Sequence, residues 1–231
     1  MPRGRNNARL DPDKILTAAF AVAERDGLSG MTLRMVGAEL GADPTAIYRH
    51  FSSKEALVVA MAERLFAEVA SADYPTDWRE RFTVLMHASR DIYRAHPALV
   101  DVLANQREES PSLIAVNELS IGCLIEAGLD RTAAGLFHQV LTAYVVGTGV
   151  LDASWGALDD DSRDAARRTY SALDPRHFPN CVHVGLSMFP EADEVIDFAT
   201  EIFLDAITRI VDASAPAKQS ITKRTTPRKK A

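Results

Sequence analysis

From Ile15 to Val211 the apolar residues return every three or four positions, and nowhere do they alternate with polar ones over a sustained run. That spacing lines one side of an α-helix, whereas a half-buried strand needs a period of two. A chain patterned this way buries apolar surface only by packing helix on helix. We therefore read an all-α fold.

The punctuation agrees. Asp11 and Pro12 have the character of an N-cap and first helical residue, and Gly27 closes the helix they open. Thr32 caps a second helix, with Leu33, Val36 and Leu40 inward and Gly41 as its stop. Asp43 and Pro44 begin a third, short one. Ser52 with Glu55 reads as a capping box for a fourth helix that runs to about Ala72. Further helical patterns are expected over about 77–95, 97–107, 111–127, 130–154, 160–172 and 191–213. The proline-rich segment 173–191 has no clean period and is read as a loop with at most one helical turn.

Length and composition narrow the class. With 231 residues and 25% charged side chains, the chain can bury a sizeable core in one large or two small domains. The N-terminal MPRGRNNARLDPDK lacks an apolar core, and the run LTAYVVGTGVL is far short of the ~20 residues that cross a bilayer. Cys123 and Cys181 form no CxxC pair and no disulfide framework. These features point to a cytoplasmic chain with no membrane partner. The VGTG at 146–149 continues a helical pattern and is not a phosphate loop. No Ser-His-Asp or Cys-His arrangement supports an enzyme, and no cofactor motif is present.

The net charge of −6 is unevenly distributed. Residues 1–60 carry net +1, residues 61–217 net −13, and residues 218–231 net +6 from Lys218, Lys223, Arg224, Arg228, Lys229 and Lys230. Basic ends on an acidic body suit contact with a polyanion, although a solvated tail has the same composition.

The short third helix then raises a chemical question. Ile47 and Phe51, four apart, share an inward face, while Thr45, Tyr48 and Arg49 share another. So short a helix is a poor element by itself, yet it offers a Tyr, an Arg and the nearby His50. Such groups meet phosphates and base edges, and a Thr methyl meets a thymine methyl. Lys54 lies in the first turn of the next helix, where free N–H groups already attract phosphate. Two short helices joined by a turn after Gly41 form a helix-turn-helix. The plainer readings are that Tyr48 is an aromatic at the edge of the core, that His50 pads the helix end, and that Arg34 pairs with Asp43 or Glu39.

The block TLRMVGAELGADPTAIYRHFSSKEAL resembles the DNA-binding domain of the TetR family of bacterial transcriptional regulators. The matching features are Thr32, Gly41, the run Tyr48-Arg49-His50-Phe51, and Ser53-Lys54 through Leu57. The resemblance is close over residues 11–60; beyond them only the helical pattern and length agree. It implies that Thr32 and Arg34 touch the DNA backbone, that Pro44, Thr45, Tyr48, Arg49 and His50 face the major groove, and that Lys54 holds a phosphate. Ala42 departs from the larger aliphatic residue usual there, and Pro44 lacks an N–H. The arm containing Arg3, Arg5 and Arg9 has the chemistry for a minor groove.

The family further implies a ligand-responsive regulator, a repressor released by a small molecule, acting as a homodimer on a palindromic double-stranded DNA operator. The expected division is a basic arm (1–10), the helix-turn-helix domain (11–56), a larger helical ligand-binding and dimerisation domain (57–213), and a disordered basic tail (214–231). Dimerisation is expected through the helices near 130–154 and 191–213. In the latter, Val195, Phe198, Ala199, Ile202, Ala206 and Ile210 form one apolar stripe, and Ile196, Phe203, Ile207 and Val211 a second. Candidate effector contacts are His87, Arg90, Tyr93, Asn117, Cys123, His138, Tyr144 and Trp155, few polar groups among many aliphatic ones, which suits a mainly hydrophobic effector. Two other readings remain. One is a non-specific DNA-binding protein relying on the basic tail. The other is a metal-binding protein using His177, Cys181 and His183, all of which are zinc-ligand types.

Overall fold

The computed structural model describes residues 10–105, 110–156 and 158–214; the predicted N-terminal arm with Arg3 and Arg5 and the tail from residue 215 lie outside them. The described residues form α-helices and two short 3-10 turns, with no strand. The helices are α1 (Pro12–Gly30), α2 (Leu33–Glu39), α3 (Pro44–Tyr48), α4 (Lys54–Ala70), α5 (Trp78–Ala95), α6 (Val100–Ala104), α7 (Pro111–Glu126), α8 (Arg131–Gly156), α9 (Asp160–Ser171), α10 (Pro179–Val184) and α11 (Ala192–Ser214).

Local chemistry sets most boundaries. The Asp11 carboxylate accepts from Asp13 N, and the Thr32 hydroxyl from Met35 N. The left-handed turns at Gly27 and Gly41, with φ of 73° and 61°, break the chain where a side chain would be strained. Three expectations differ. Ser53, not Ser52, caps α4, its hydroxyl accepting from Ala56 N at 3.2 Å, so Glu55 occupies the first turn rather than the box position. The helix expected over 97–107 is a 3-10 turn (Pro97–Leu99) followed by α6. Asn105 closes α6, its Nδ2 donating to the Asp101 carbonyl at 2.7 Å. The segment read as a loop holds α10, started by Pro179, and a second 3-10 turn begun at Gly185 in the left-handed region.

The first four helices close around Ile15, Ala19, Val22, Val36, Ile47, Leu57, Met61 and Leu65. α4 runs on into the body and packs against α7, while α5 packs against α7 and α8. A second cluster joins Phe82, Met86, Leu124, Leu141, Ile196 and Ile207.

The most deeply buried charge is Arg90 on α5, only 1% exposed. Its Nε donates to Asp152 of α8 and its Nη1 to Asp193 of α11, both at 2.7 Å. α5 also meets α8 at Gly149, where an added Cβ would lie 2.5 Å from the Tyr93 ring, so these two helices approach closely only because that position carries no side chain.

α8 is long and apolar enough to cross a bilayer by length and composition. Its Ala134, His138, Leu141 and Gly149 are nevertheless buried in the body. Leu136, Val140 and Leu151 stand on an exposed stripe, matched on α11 by Val195, Phe198, Ile202 and Ile210. The second α11 stripe is the inward one: Ile196 and Ile207 are buried, and Phe203 lies edge-on to Phe137 and Tyr144.

Candidate nucleic-acid interface and effector cavity

α3 is positioned from below. Ile47 is fully buried, and Phe51 packs against the same cluster. α2 packs directly on it: a Cβ added at Gly37 would be in ordinary van der Waals contact with Ile47 Cγ1 at 3.4 Å and Pro44 Cα at 3.5 Å. With that face held, Tyr48 is 56% exposed, and Arg49 and His50 are exposed beside it. Tyr48 therefore lies outside the core. Thr45 is exposed, but its hydroxyl donates to Asp43 Oδ1 at 2.7 Å and so belongs first to the cap of α3. Pro44 is half-buried at the first turn. Arg34 and Thr32 are exposed at the start of α2, and Glu39 pairs with Arg25 at 2.9 Å. Lys54 Nζ donates to the Ser29 carbonyl at 3.0 Å, tying α4 to the end of α1 and leaving two further donors on the ammonium group.

Behind this unit lies an apolar cavity of about 80 Å³. α4 supplies Phe66 and Val69; α5 supplies Phe82, Leu85, Met86, Ser89, Ile92 and Tyr93; α7 supplies Leu113, Val116, Asn117 and Ser120; α8 supplies His138, Leu141, Thr142, Val145 and Val146. No Asp, Glu, Lys or Arg is among these residues. His138 Nδ1 lies 3.2 Å from Ser120 Oγ.

Of the candidate effector contacts, the structure brings Tyr93, Asn117 and His138 together here and places the other five elsewhere. Arg90 is committed to Asp152 and Asp193. His87 faces Asp197 at 3.1 Å. Cys123 is buried and accepts from Arg81 Nε at 3.4 Å. Tyr144 packs on Phe203, and Trp155 stacks on Phe189. Ser89, Ser120 and Thr142 were missed by sequence reasoning. Small hydroxyls on helices usually bond their own backbone and carry no distinctive signal. Phe66 and Val69 were missed because only the crossing of α4 over α7 turns them toward the cavity.

Burial alone sets two titrations. It pushes the Tyr93 hydroxyl up to about 12 and His138 below the ordinary histidine value. His138 is therefore neutral when folded at neutral pH. As pH falls through the ordinary histidine value of about 6.5, the unfolded chain takes up a proton that the folded chain resists, and stability is lost. The drop in melting temperature between about pH 7.5 and about pH 5.5 is expected to be smaller in His138→Leu than in the parent; equal drops would reject this role.

His177, Cys181 and His183 do not assemble a metal site: among the described residues no group of three His, Cys, Asp or Glu side chains could hold an ion. His177 Nδ1 instead lies 3.2 Å from Asp174 Oδ2.

The basic segment 218–231 lies outside the described residues, but its point of departure does not. Arg79 Nη2 donates to Thr208 Oγ1, and Arg90 pairs with Asp193, so α11 runs antiparallel to α5. The far end of α5 reaches α1, where the His96 and Phe20 rings lie 5.0 Å apart. Thr208 thus lies about 26 Å, the length of α5 between Arg79 and His96, from the level at which α5 reaches α1, and Ser214 lies farther still.

Comparison with known proteins agrees with this architecture. Residues 15–61 match the pattern of bacterial regulatory proteins of the tetR family, and residues 72–211 the tetracyclin repressor-like C-terminal domain. The HTH-type transcriptional repressor Rv1353c of Mycobacterium tuberculosis is 25% identical over 224 residues, which cover 92% of this chain and 86% of that protein. The tetracycline repressor protein class A from transposon 1721 of Escherichia coli is 27% identical over 158 residues, covering 67% of this chain and 72% of that protein. The crystal structure of apo ActR from Streptomyces coelicolor superposes with a TM-score of 0.74 at 20% identity, over 90% of this chain and 99% of that one. ActR in complex with actinorhodin gives 0.72 at 20% identity, over 87% and 96%. At that identity the likeness concerns the fold. The two matched patterns together span most of the chain, which belongs to the TetR family of bacterial transcriptional regulators.

Proposed function

We propose that this regulator is a repressor that binds a near-palindromic operator as a homodimer and leaves it when a small, mainly hydrophobic molecule occupies the cavity. The observation that carries this reading is the double membership of α4. Its first residue, Lys54, is tied to the DNA-binding unit at Ser29, and its Phe66 and Val69 line the cavity. One rigid helix thus spans the two places that must communicate. Relatives named as repressors support the sign of the response.

The cavity defines the effector's chemistry. Without a charged side chain in the lining, an ionic ligand would be left unpaired in an apolar site. An uncharged molecule with an apolar body and one or two hydrogen-bonding groups for Asn117, Ser120 or His138 fits. At about 80 Å³ the cavity is smaller than the roughly 150 Å³ that holds benzene, so an effector must part the helices around it. That requirement supplies the differential affinity which any induction needs.

On the DNA side, the proposed reading helix is α3 with Pro44, Thr45 and Tyr48, together with Arg49 and His50 in the turn that follows it. Its anchors are Thr32, Arg34 and Lys54, and Arg3 and Arg5 have the chemistry to enter the adjacent minor groove. The test begins with selection of bound sequences from random duplexes. On the selected site, Tyr48→Ala is expected to lose about 1–3 kcal/mol of binding with an unchanged melting temperature. A folded Tyr48→Ala protein of parental affinity would remove α3 as the reading helix.

A further inference from the structure

α7 does not cap its own N-terminus unaided. Ser110 is the N-cap, buried, and its Oγ accepts from Leu113 N at 3.1 Å. That hydroxyl donates in turn to Glu63 Oε2 of α4, and Glu63 Oε1 accepts from Ser112 N at 2.9 Å. A carboxylate from one helix therefore closes the first turn of another, where free N–H groups and the helix dipole favour negative charge. Burial raises the Glu63 pKa, but the bonds from Ser110 and Ser112 outweigh it, and the group is held below the ordinary glutamate value.

The position of this cap matters more than its strength. One turn beyond Glu63, Phe66 begins the α4 wall of the cavity; one turn beyond Ser110, Leu113 begins the α7 wall. Nine residues before Glu63, about 14 Å along the helix, Lys54 is bonded to the DNA-binding unit. The Glu63 cap is thus a polar, directional bond between the two cavity walls, on the side toward α1–α3. Next to it α4 and α7 bring Phe66, Val69, Leu113 and Val116 into one apolar cluster, and such packing can slide; a charged cap with two bonds resists sliding.

We infer that Glu63 is a positioning residue that makes α4 follow α7 when the cavity expands, and so passes cavity occupancy to the DNA-binding helices. This rests on the proposed cavity-to-operator coupling. Without the Glu63 carboxylate, α7 gives way by itself, α4 stays in place, and occupancy no longer reaches α3.

The test uses a fixed occupant, so no effector is needed. Ser120→Phe places a ring in the cavity. Operator affinity is measured on the selected duplex for the parent, Ser120→Phe, Glu63→Ala and the double variant, each confirmed as folded by circular dichroism. The expected result is about a tenfold loss for Ser120→Phe in the parent but under about twofold in the Glu63→Ala background, with Glu63→Ala alone within about threefold of the parent; tenfold corresponds to about 1.4 kcal/mol of coupling. A merely structural cap would give the same loss in both backgrounds, and that outcome overturns the inference while leaving the cavity reading intact. No loss for Ser120→Phe in the parent overturns the cavity reading and this inference with it. If Glu63→Ala fails to fold, Glu63→Gln decides by the same comparison: a Ser120→Phe loss reduced at least threefold sustains the coupling role, and an undiminished loss removes it.

Discussion

Phe198→Asp combined with Ile202→Asp is expected to yield a folded monomer that has lost about 10³-fold or more of the operator affinity. Phe198 is 66% exposed and Ile202 half exposed, and they share their stripe with Val195 and Ile210. On α8, which meets α11 where Phe137 and Tyr144 pack on Phe203, Leu136, Val140 and Leu151 are exposed as well. So many exposed large apolar side chains on two neighbouring helices are uncommon on a monomer and call for a partner. Two aspartates in the middle of the strip would be desolvated without partners in any dimer that used it. They leave the fold intact because the inward face of α11, with Ile196 and Ile207, is unchanged. Phe203 would be the wrong choice: wedged against Phe137 and Tyr144, it holds the body together. A dimer grips two half-sites at once, whereas a monomer grips one. Losing about half of the ~12 kcal/mol typical of a nanomolar complex accounts for the size of the effect. Sedimentation gives the oligomeric state and fluorescence anisotropy on the selected duplex the affinity. A parent protein that is monomeric at micromolar concentration, or a double variant that remains dimeric, would reject the interface.

Arg90→Leu is expected to destabilise the body by about 2–4 kcal/mol, at or just below the lower part of the roughly 3–5 kcal/mol range for breaking a buried ion pair. The lower part applies because Asp193, one of its two main partners, is largely exposed and solvated. Asp152 is mostly buried and would be left facing an aliphatic side chain. The loss should appear as a melting temperature lower by roughly 4–16 °C for a chain of this size. Asp193→Asn, at the exposed end of the network, is expected to cost under about 1 kcal/mol. Equal effects of the two substitutions in denaturant melts would mean that the network does not stabilise the body through Arg90. Residual operator affinity should fall only in proportion to the unfolded fraction, since no bond from Arg90 reaches the DNA-binding unit.

The readings that came straight from the chain were local ones. Asp11, Thr32, Asp43, Gly27 and Gly41 act within a turn or so of their own positions, so their caps and breaks could be read from spacing. The same is true of Ile47 inward and Tyr48 outward on α3, where a helical period of 3.6 residues fixes which side chains share a face. The capping box was displaced by one residue because Ser52 and Ser53 offer the same hydroxyl, and only the path of the backbone selects between them. The two stripes on α11 were visible as a pair. Which one meets the core depends on where α5 and α8 cross it, and that crossing has no local signature.

Sequence by itself therefore determined the helical class, the order of elements and the residues offered by α3, because these follow from neighbours three or four positions apart. Tertiary structure alone decided the cavity, the Arg90 network and the Glu63 cap. Arg90 and His138 look equally eligible as polar residues on apolar helices. One became a structural ion pair and the other a cavity wall, because Asp152 and Asp193 arrive beside the first and Ser120 beside the second. Glu63 lies 47 residues from Ser110 along the chain. The contact is set by the close packing of helices that are remote in sequence, and helical periodicity does not encode which remote helix a given face will meet.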